Sequence, residues 1–475
     1  MKPTATLLAL LTSITLAQAE FRTWKDASGA HEIKAELVGM AGGKVTLKRE
    51  NGTTLVMPLT SLSKEDQTFL NGGKAPAGTA SAGKAAAGDW PQWRGPNRDD
   101  VSTETGLLKK WPSDGPKRVW VNEDAGLGYS GFSVAGGKLF TMGLYDAEEK
   151  VICLDATTGK KIWEAPVGVI YKNGWGDGPR TTPTVAGGMV YAIGGNGDLV
   201  CLNAETGKKD WSKSLTKDLG GKLQSWGYTE SPLVDGELVI VTPGGKEGAL
   251  AALNAKTGKV EWQTSDVAED AQYSSVIPID HGGQRQYVQL LGKSILGVSK
   301  EGKVLWKSEF PGKTAVIPTP IFSAGQVYVA AGYGVGCKSI KIDGNNAVDV
   351  YANTNMVNHH GGVLLIDGLL YGHSDKGGWT CQDFKSGDIV WQDKGIGKGA
   401  VTSADGMLYC LSEGDGTVAL VEVSKKGWDM KSSFKLQATS SNRNPQGKIW
   451  THPVIAGGKL FLRDQEFISC YDIKG

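Results

Sequence analysis

Four short segments of this chain, TTPTVAGG (181–188), TESPLVDG (229–236), GGVLLIDG (361–368) and THPVIAGG (451–458), share one pattern: small or polar residues, two or three apolar ones, then a turn ending in glycine. Placed in register, they bring Trp175, Arg180, Trp226, Tyr228, Glu230, Tyr273, Asn358, His359, His360, Trp450 and His452 to the same end of their strands. If those strands surround a common axis, the side chains converge at one mouth. Aromatic faces, a guanidinium, a carboxylate and imidazoles gathered in one place suit a small molecule or a peptide. The alternative is that these polar groups bond one another or line a water channel. Imidazoles also raise a metal site. His359 and His360 are adjacent, however, so on an extended chain they face opposite ways and at most one joins His452; no metal is expected. Arg180, Tyr228, His360 and Trp450 hold nearly equivalent places, as do Thr182, Glu230 and His452 two residues on. A ring needing only stability could reuse one residue type at each place, so their divergence points to an asymmetric ligand.

The elements that must position these residues are legible from a second repeat. CLNAETGKKDW (201–211) has near copies in CLDATTGKKIW ending at Trp163, ALNAKTGKVEW at Trp262 and CQDFKSGDIVW at Trp391, and a looser one in LGVSKEGKVLW at Trp306. Each alternates apolar and polar residues, breaks at a pair ending in glycine and resumes toward a tryptophan, the pattern of a hairpin. The glycine supplies positive φ, the Asp or Asn four positions earlier can bond the turn backbone, and the tryptophan brings a large apolar face to a neighbour. Degenerate copies end at Tyr351 and Phe434. Trp120 lacks a preceding hairpin half, and FISCYDIKG at the end of the chain lacks its tryptophan. Residues near Trp120 are therefore expected to complete the last unit and close a ring of eight. A period of roughly 40–50 residues with four strands per unit is the mark of a propeller. The fold class expected is all-β, an eight-bladed propeller behind a small SH3-like barrel.

In chain order, Met1-Lys2, an apolar run from Leu7 to Leu16 and Ala17-Gln18-Ala19 read as a signal peptide over 1–19. Export to the periplasm or beyond is the expectation. Residues 20–71 read as a small β domain, with runs broken at Gly29, Gly42-Gly43 and Asn51-Gly52 and a helix cap at Ser63. Residues 72–88 are Gly/Ala-rich and read as a flexible linker, and 89–475 as the propeller. The 51 basic and 50 acidic residues nearly cancel, so no net field favours nucleic acid or an anionic membrane. Nothing after the first segment is long and apolar enough for an integral membrane protein. Six cysteines are never adjacent, and four of them (Cys153, Cys201, Cys381, Cys470) share one repeat position; free buried thiols are expected.

RTWKD, the AELVG strand and PLTSLSKEDQTFL make residues 21–71 similar to the SH3-like homology domain of a yeast endocytic adaptor, which implies a peptide-binding or a spacer module. WPQWRGPNRDDVS, GDGPRTTPTV, SWGYTESPLVDGELVIVTPGGK, NHHGGVLLIDGLLYGHSDKGGW and WTHPVIAGGKLFLRDQEFISCYDIK resemble the bacterial PQQ-like propeller proteins over 89–475. That resemblance implies two functions of different kinds. One is an exported binding or scaffold module with a protein or peptide partner. The other is a PQQ-dependent oxidoreductase acting on an alcohol or sugar. Quinoprotein dehydrogenases carry adjacent cysteines against the quinone and hold Ca²⁺ with Glu, Asn and Asp. This chain has no adjacent cysteines, and no stretch clearly supplies that oxygen set. The expectation is thus a binding module with no cofactor, with PQQ and Ca²⁺ as the alternative.

Overall fold

The computed structural model describes residues 22–26, 31–41, 44–49, 51, 53–58, 61–63, 66 and 88–475. The expected signal peptide and nearly all of the expected linker lie outside them. The chain divides into two compact units, 1–77 and 78–475. In the first, strands Arg22–Lys25, Glu32–Ala41, Lys44–Arg49 and Thr54–Pro58 form one antiparallel meander in chain order. Trp24, Ala35, Val45, Leu47 and Leu62 are its core, and the Trp24 indole donates to Ala35 O at 2.9 Å. Ser63 Oγ accepts the Asp66 N–H, the capping contact expected there; the helix beyond lies outside the described residues.

The second unit is a ring of eight antiparallel sheets, each four strands deep except one of five. Blades 1 to 8 follow chain order, with inner strands Ser133–Ala135, Thr184–Ala186, Leu233–Asp235, Ile277–His281, Ile321–Ser323, Val363–Ile366, Gly399–Ala404 and Val454–Ala456. The repeated hairpin is the outer half of each blade. In blade 2, Asp198–Asn203 turns into Lys209–Ser214 through Gly207 at φ 70°, and Asn203 Oδ1 accepts the N–H groups of Glu205 and Thr206. The tryptophan of each hairpin then seats on the next blade's turn. A Cβ added at Gly159, Gly207, Gly258 or Gly302 would lie 2.5–2.7 Å from the ring of Trp120, Trp163, Trp211 or Trp262. Glycine is there both for its φ and for this stacking. The indole N–H completes each joint by donating to a carbonyl of the same turn, Ala156 O for Trp120 and Ala204 O for Trp163.

Trp306 departs from this arrangement. It faces Gly297 across the hairpin, and with no side chain there the indole folds onto its own sheet and donates to Gln286 Oε1 at 2.8 Å. The other hairpins carry a cysteine or alanine opposite the tryptophan, as in Cys153–Trp163, Cys201–Trp211 and Ala252–Trp262. This explains the shared cysteine position: it needs a small apolar residue beneath an indole. All six cysteines are buried and free. The ring closes as the sequence suggests, for Arg118–Asn122 pairs with Phe467–Asp472 and puts Trp120 opposite Cys470. Arg463 of blade 8 reinforces the closure, donating to Ala125 O, Gly126 O, Ser130 O, Met142 O and Thr141 Oγ1 of blade 1 and its lead-in.

The sequence reading left the axis of the ring open as a channel; the structure fills it with residues 88–104. Trp90 exchanges two 2.7 Å backbone bonds with Val134 of blade 1, and Pro91 O accepts from Val185 N of blade 2. Arg98 donates to Ser231 O and Pro232 O at blade 3, the Trp93 indole to Thr319 Oγ1 at blade 5, and Arg94 to Val363 O of blade 6. Val101–Ser102 adds a parallel fifth strand to blade 7, and Gly88 O accepts from Gly457 N at blade 8. Arg94 and Asp100 form an ion pair at 2.7 Å, each about 1 % exposed. Arg94, Arg98 and Asp100 all have φ near +60°, a conformation that non-glycine residues hold only when surrounding contacts impose it. The segment is a hub that ties seven blades together.

Candidate functional site

Above the hub, at one end of the ring, lies a cavity of about 360 Å³, within the size range of small-ligand pockets. Its wall is built by the loops leading into all eight inner strands, by two loops inside blades 5 and 7, and by Trp93 of the hub. Of the eleven residues placed at the mouth from sequence, Trp175, Arg180, Trp226, Tyr273, His360, Trp450 and His452 line it. His359 lines it too.

The structure does not bring Tyr228, Glu230 and Asn358 to the cavity. Tyr228 packs against Gly197 and donates from its hydroxyl to Pro243 O at 2.8 Å. Glu230 accepts from Thr242 N and Oγ1 and from Gln289, and Asn358 donates to Gly362 O and His373 O. The reason is alternation along an extended chain: in the lead-in to blade 3, Thr229 and Ser231 face the cavity, so Tyr228 and Glu230, which alternate with them, face the blades. GYSG before the first inner strand parallels GYTES before the third but is one residue shorter. That difference turns Tyr129 to the cavity where Tyr228 turns away. Comparing those two lead-ins would have found Tyr129. Tyr333, Lys398 and Glu413 carry no such signal, because they come from inside blade 5, from a Gly/Lys-rich link and from inside blade 7.

The wall is mainly aromatic. Trp226 and Tyr273 lie 4.9 Å apart at 32°, Trp450 is 5.0 Å from Tyr129 and 6.5 Å from Trp175, and Trp93 lies 4.7 Å from the His452 ring. Trp175 is 43 % exposed, the most open of these faces. Arg180 donates to Gly176 O and Gly178 O, and its guanidinium sits 5.5 Å from the Tyr129 ring and 4.9 Å from that of Tyr171. Burial lowers its pKa. Opposite charge is scarce. Glu413 Oε2 accepts from the Trp450 indole at 2.9 Å and lies 3.3 Å from His360 Nε2. Burial raises the Glu413 pKa and drives that of His360 well down, so the pair carries less charge than two exposed groups would. His452 Nε2 faces His360 O at 2.7 Å and so carries a hydrogen, while Nδ1 lies 3.6 Å from Asp100 of the hub. Lys398 pairs with Asp375 at 2.9 Å and touches His359 Nδ1. The arrangement can hold a flat or aromatic group between rings and fix its polar ends with a guanidinium, an ammonium and imidazoles.

A family model described as outer membrane protein assembly factor BamB matches residues 111–212 and 147–393, and one described as SLA1 homology domain 1 matches residues 16–74. No curated protein matches the chain significantly. Many solved structures do. BamB from Moraxella catarrhalis is 14 % identical with a TM-score of 0.53, over 75 % of this chain and 97 % of that one. The quinohemoprotein alcohol dehydrogenase from Comamonas testosteroni is 14 % identical with a TM-score of 0.55, over 84 % of each chain. A computationally designed protein, Ika8, is 11 % identical with a TM-score of 0.54, over 75 % of this chain and all of its own. At these identities the structures share the fold alone. The family match extends over more than half of the sequence and runs through blades 1 to 6, and the chain therefore belongs to the PQQ_2 family of BamB-type propellers, with an SLA1 homology domain 1 at its N-terminal end.

Proposed function

We propose that this protein is an exported binding module that takes a peptide or small-molecule ligand in the aromatic cavity at one end of its propeller. One observation carries the reading: loops from all eight blades converge on one cavity whose wall includes Trp93, Trp175, Trp226 and Trp450 beside Arg180 and three histidines. Rings brought together from across the sequence, with one indole 43 % exposed, leave apolar area for a partner to cover. The family is named for an assembly factor, which supports a protein or peptide partner over a substrate. Export rests on the N-terminal segment 1–19 read as a signal peptide, and among the described residues no helix is long and apolar enough to cross a membrane. Residues 20–71 would form a second contact module on the 72–88 linker.

The other reading is a PQQ-dependent oxidoreductase, and its support is the fold shared with the quinohemoprotein alcohol dehydrogenase. Calcium does not suit the cavity's donors. Ca²⁺ needs six to eight oxygens; Glu413 is the one carboxylate in the wall, and among the described residues no three His, Cys, Asp or Glu side chains are grouped to hold a metal. No cysteine lines the wall. The test uses the full chain. Capture of partners from the native envelope under mild crosslinking is expected to fall sharply in the variant W226A/W450A with its melting temperature little changed. Unchanged capture refutes the cavity as the site. Quinone absorbance and dye reduction on titration with PQQ and Ca²⁺ would establish the oxidoreductase instead.

A further inference from the structure

The shielded arginines of the propeller meet their charge in different ways. Arg94 is paired with Asp100 at 2.7 Å, Arg285 with Asp235 at 2.8 Å and Arg443 with Asp464 at 2.6 Å. Among the described residues Arg98 and Arg463 have no carboxylate partner: Arg98 donates to Gln92 Oε1, Ser231 O and Pro232 O, and Arg463 spreads its three nitrogens over six protein oxygens. Arg180 has fewer acceptors than either and is the one of these that lines the cavity. It donates to two carbonyls, Gly176 O and Gly178 O, and among the described residues no carboxylate lies within ion-pair distance of it. Of the nearby carboxylates, Glu149 is occupied by Gly195 N and Tyr171 N, and Asp177 accepts from Asn173 N. A half-buried guanidinium in the cavity wall between two tyrosine rings, with N–H groups to spare, is placed to take an anion from the cavity.

Its surroundings repeat the sign. The exposed Lys448 lines the same cavity, as does Lys398 with its Asp375 partner behind it, against Glu413 as the one carboxylate in the wall. We propose that the cavity selects a carboxylate carried on a flat apolar body, and that Arg180 receives the carboxylate. This rests on the binding reading above and names its ligand class. A planar guanidinium matches a carboxylate through two parallel N–H···O bonds. The Tyr129 and Tyr171 rings fix the guanidinium plane, and the Trp226–Tyr273 pair and Trp450 offer faces for the body of the ligand. Two sources share this chemistry, a free aromatic acid and the C-terminal aromatic residue of a peptide.

The experiment compares acids with their neutral isosteres on the full chain, by tryptophan fluorescence and calorimetry. One arm uses 2-naphthoate against 2-naphthamide, the other acetyl-Gly-Phe against acetyl-Gly-Phe-amide. In at least one arm the acid is expected to bind about tenfold or more tighter than the amide, a charge-assisted bidentate contact being the difference. The arm that shows it identifies the source. Arg180→Gln should abolish the preference while melting within about 2 °C of the parent, as expected of a surface-cavity change in a ring this large. Should that variant fold poorly, Arg180→Lys keeps the charge, loses the fork and should retain only part of the preference. Equal binding of acid and amide, binding of neither, or a preference that survives in Arg180→Gln overturns the proposal. If neither probe binds while W226A/W450A still abolishes partner capture, the anion fails and the binding site stands; if capture is unaffected, the site itself fails.

Discussion

Replacing Asp100 by Asn tests whether the hub is held by charge or only by shape. Asn has the same size, and it tolerates the left-handed φ of 59° at this position as Asp does, so the backbone gives little reason for a change. What changes is that Arg94, about 1 % exposed, loses the carboxylate 2.7 Å away and keeps only the Val363 and Asp99 carbonyls. Stranding one member of a buried pair costs about 3–5 kcal/mol. For a unit of about 390 residues, unfolding entropy near 60 °C is about 0.8 kcal/mol/K at the usual value per residue, so the melting temperature should fall by about 4–6 °C. The neighbouring carboxyl supplies the control. Burial pushes the Asp99 carboxyl up to about 6, so at pH 7 the fold carries an anion it would prefer neutral, and Asp99→Asn should leave the melting temperature unchanged or slightly raised. The assay is scanning calorimetry of both full-length variants at pH 7. Equal shifts for the two, or no shift for Asp100→Asn, would show that the hub sits in the ring without depending on its ion pair.

Gly159→Ala should destabilise the ring by about 2 kcal/mol or more beyond Gly136→Ala in chemical denaturation, because both glycines have positive φ but only Gly159 lies under an indole. Equal costs would mean that the Trp120 seat contributes nothing to closure. The third expectation concerns acid. Burial holds the His373 imidazole down to about 4, so the folded protein resists a proton that the unfolded chain takes up below about 6.5. Its contribution to stability is therefore present above pH 6.5 and lost as the pH falls toward 4. His360, lowered by burial and by Lys398, acts in the same direction. His373→Phe, edge-on to Trp379 as the imidazole is, should make melting temperature fall less steeply between pH 6.5 and pH 4 than in the parent. An unchanged slope would refute the assignment.

The sequence by itself determined the ring. The hairpin that builds each blade is local: an Asn or Asp that bonds its own turn, a glycine with positive φ, and a tryptophan a few residues later. Eight repeats of a local rule are visible without knowing which blade touches which. The missing hairpin half at Trp120 and the missing tryptophan at the chain end even located the closure. Eight cavity residues were legible for the same reason, since they precede inner strands at repeated positions.

Tertiary structure decided whatever depends on a partner far along the chain. The hub has no period, and its contacts join Arg98 to Ser231, Trp93 to Thr319 and Arg94 to Val363, pairs that no local rule connects. Trp306 matches its fellow tryptophans in sequence, yet the glycine facing it across the hairpin turned it inward. A one-residue difference in lead-in length sent Tyr129 into the cavity and Tyr228 into the wall, because side chains on an extended chain change face at every step. Arg180 was visible as a charge near the axis, but its lack of a carboxylate partner is a property of everything packed around it. Periodicity records what each blade needs from its own residues, whereas the hub and the cavity are set by distances between blades.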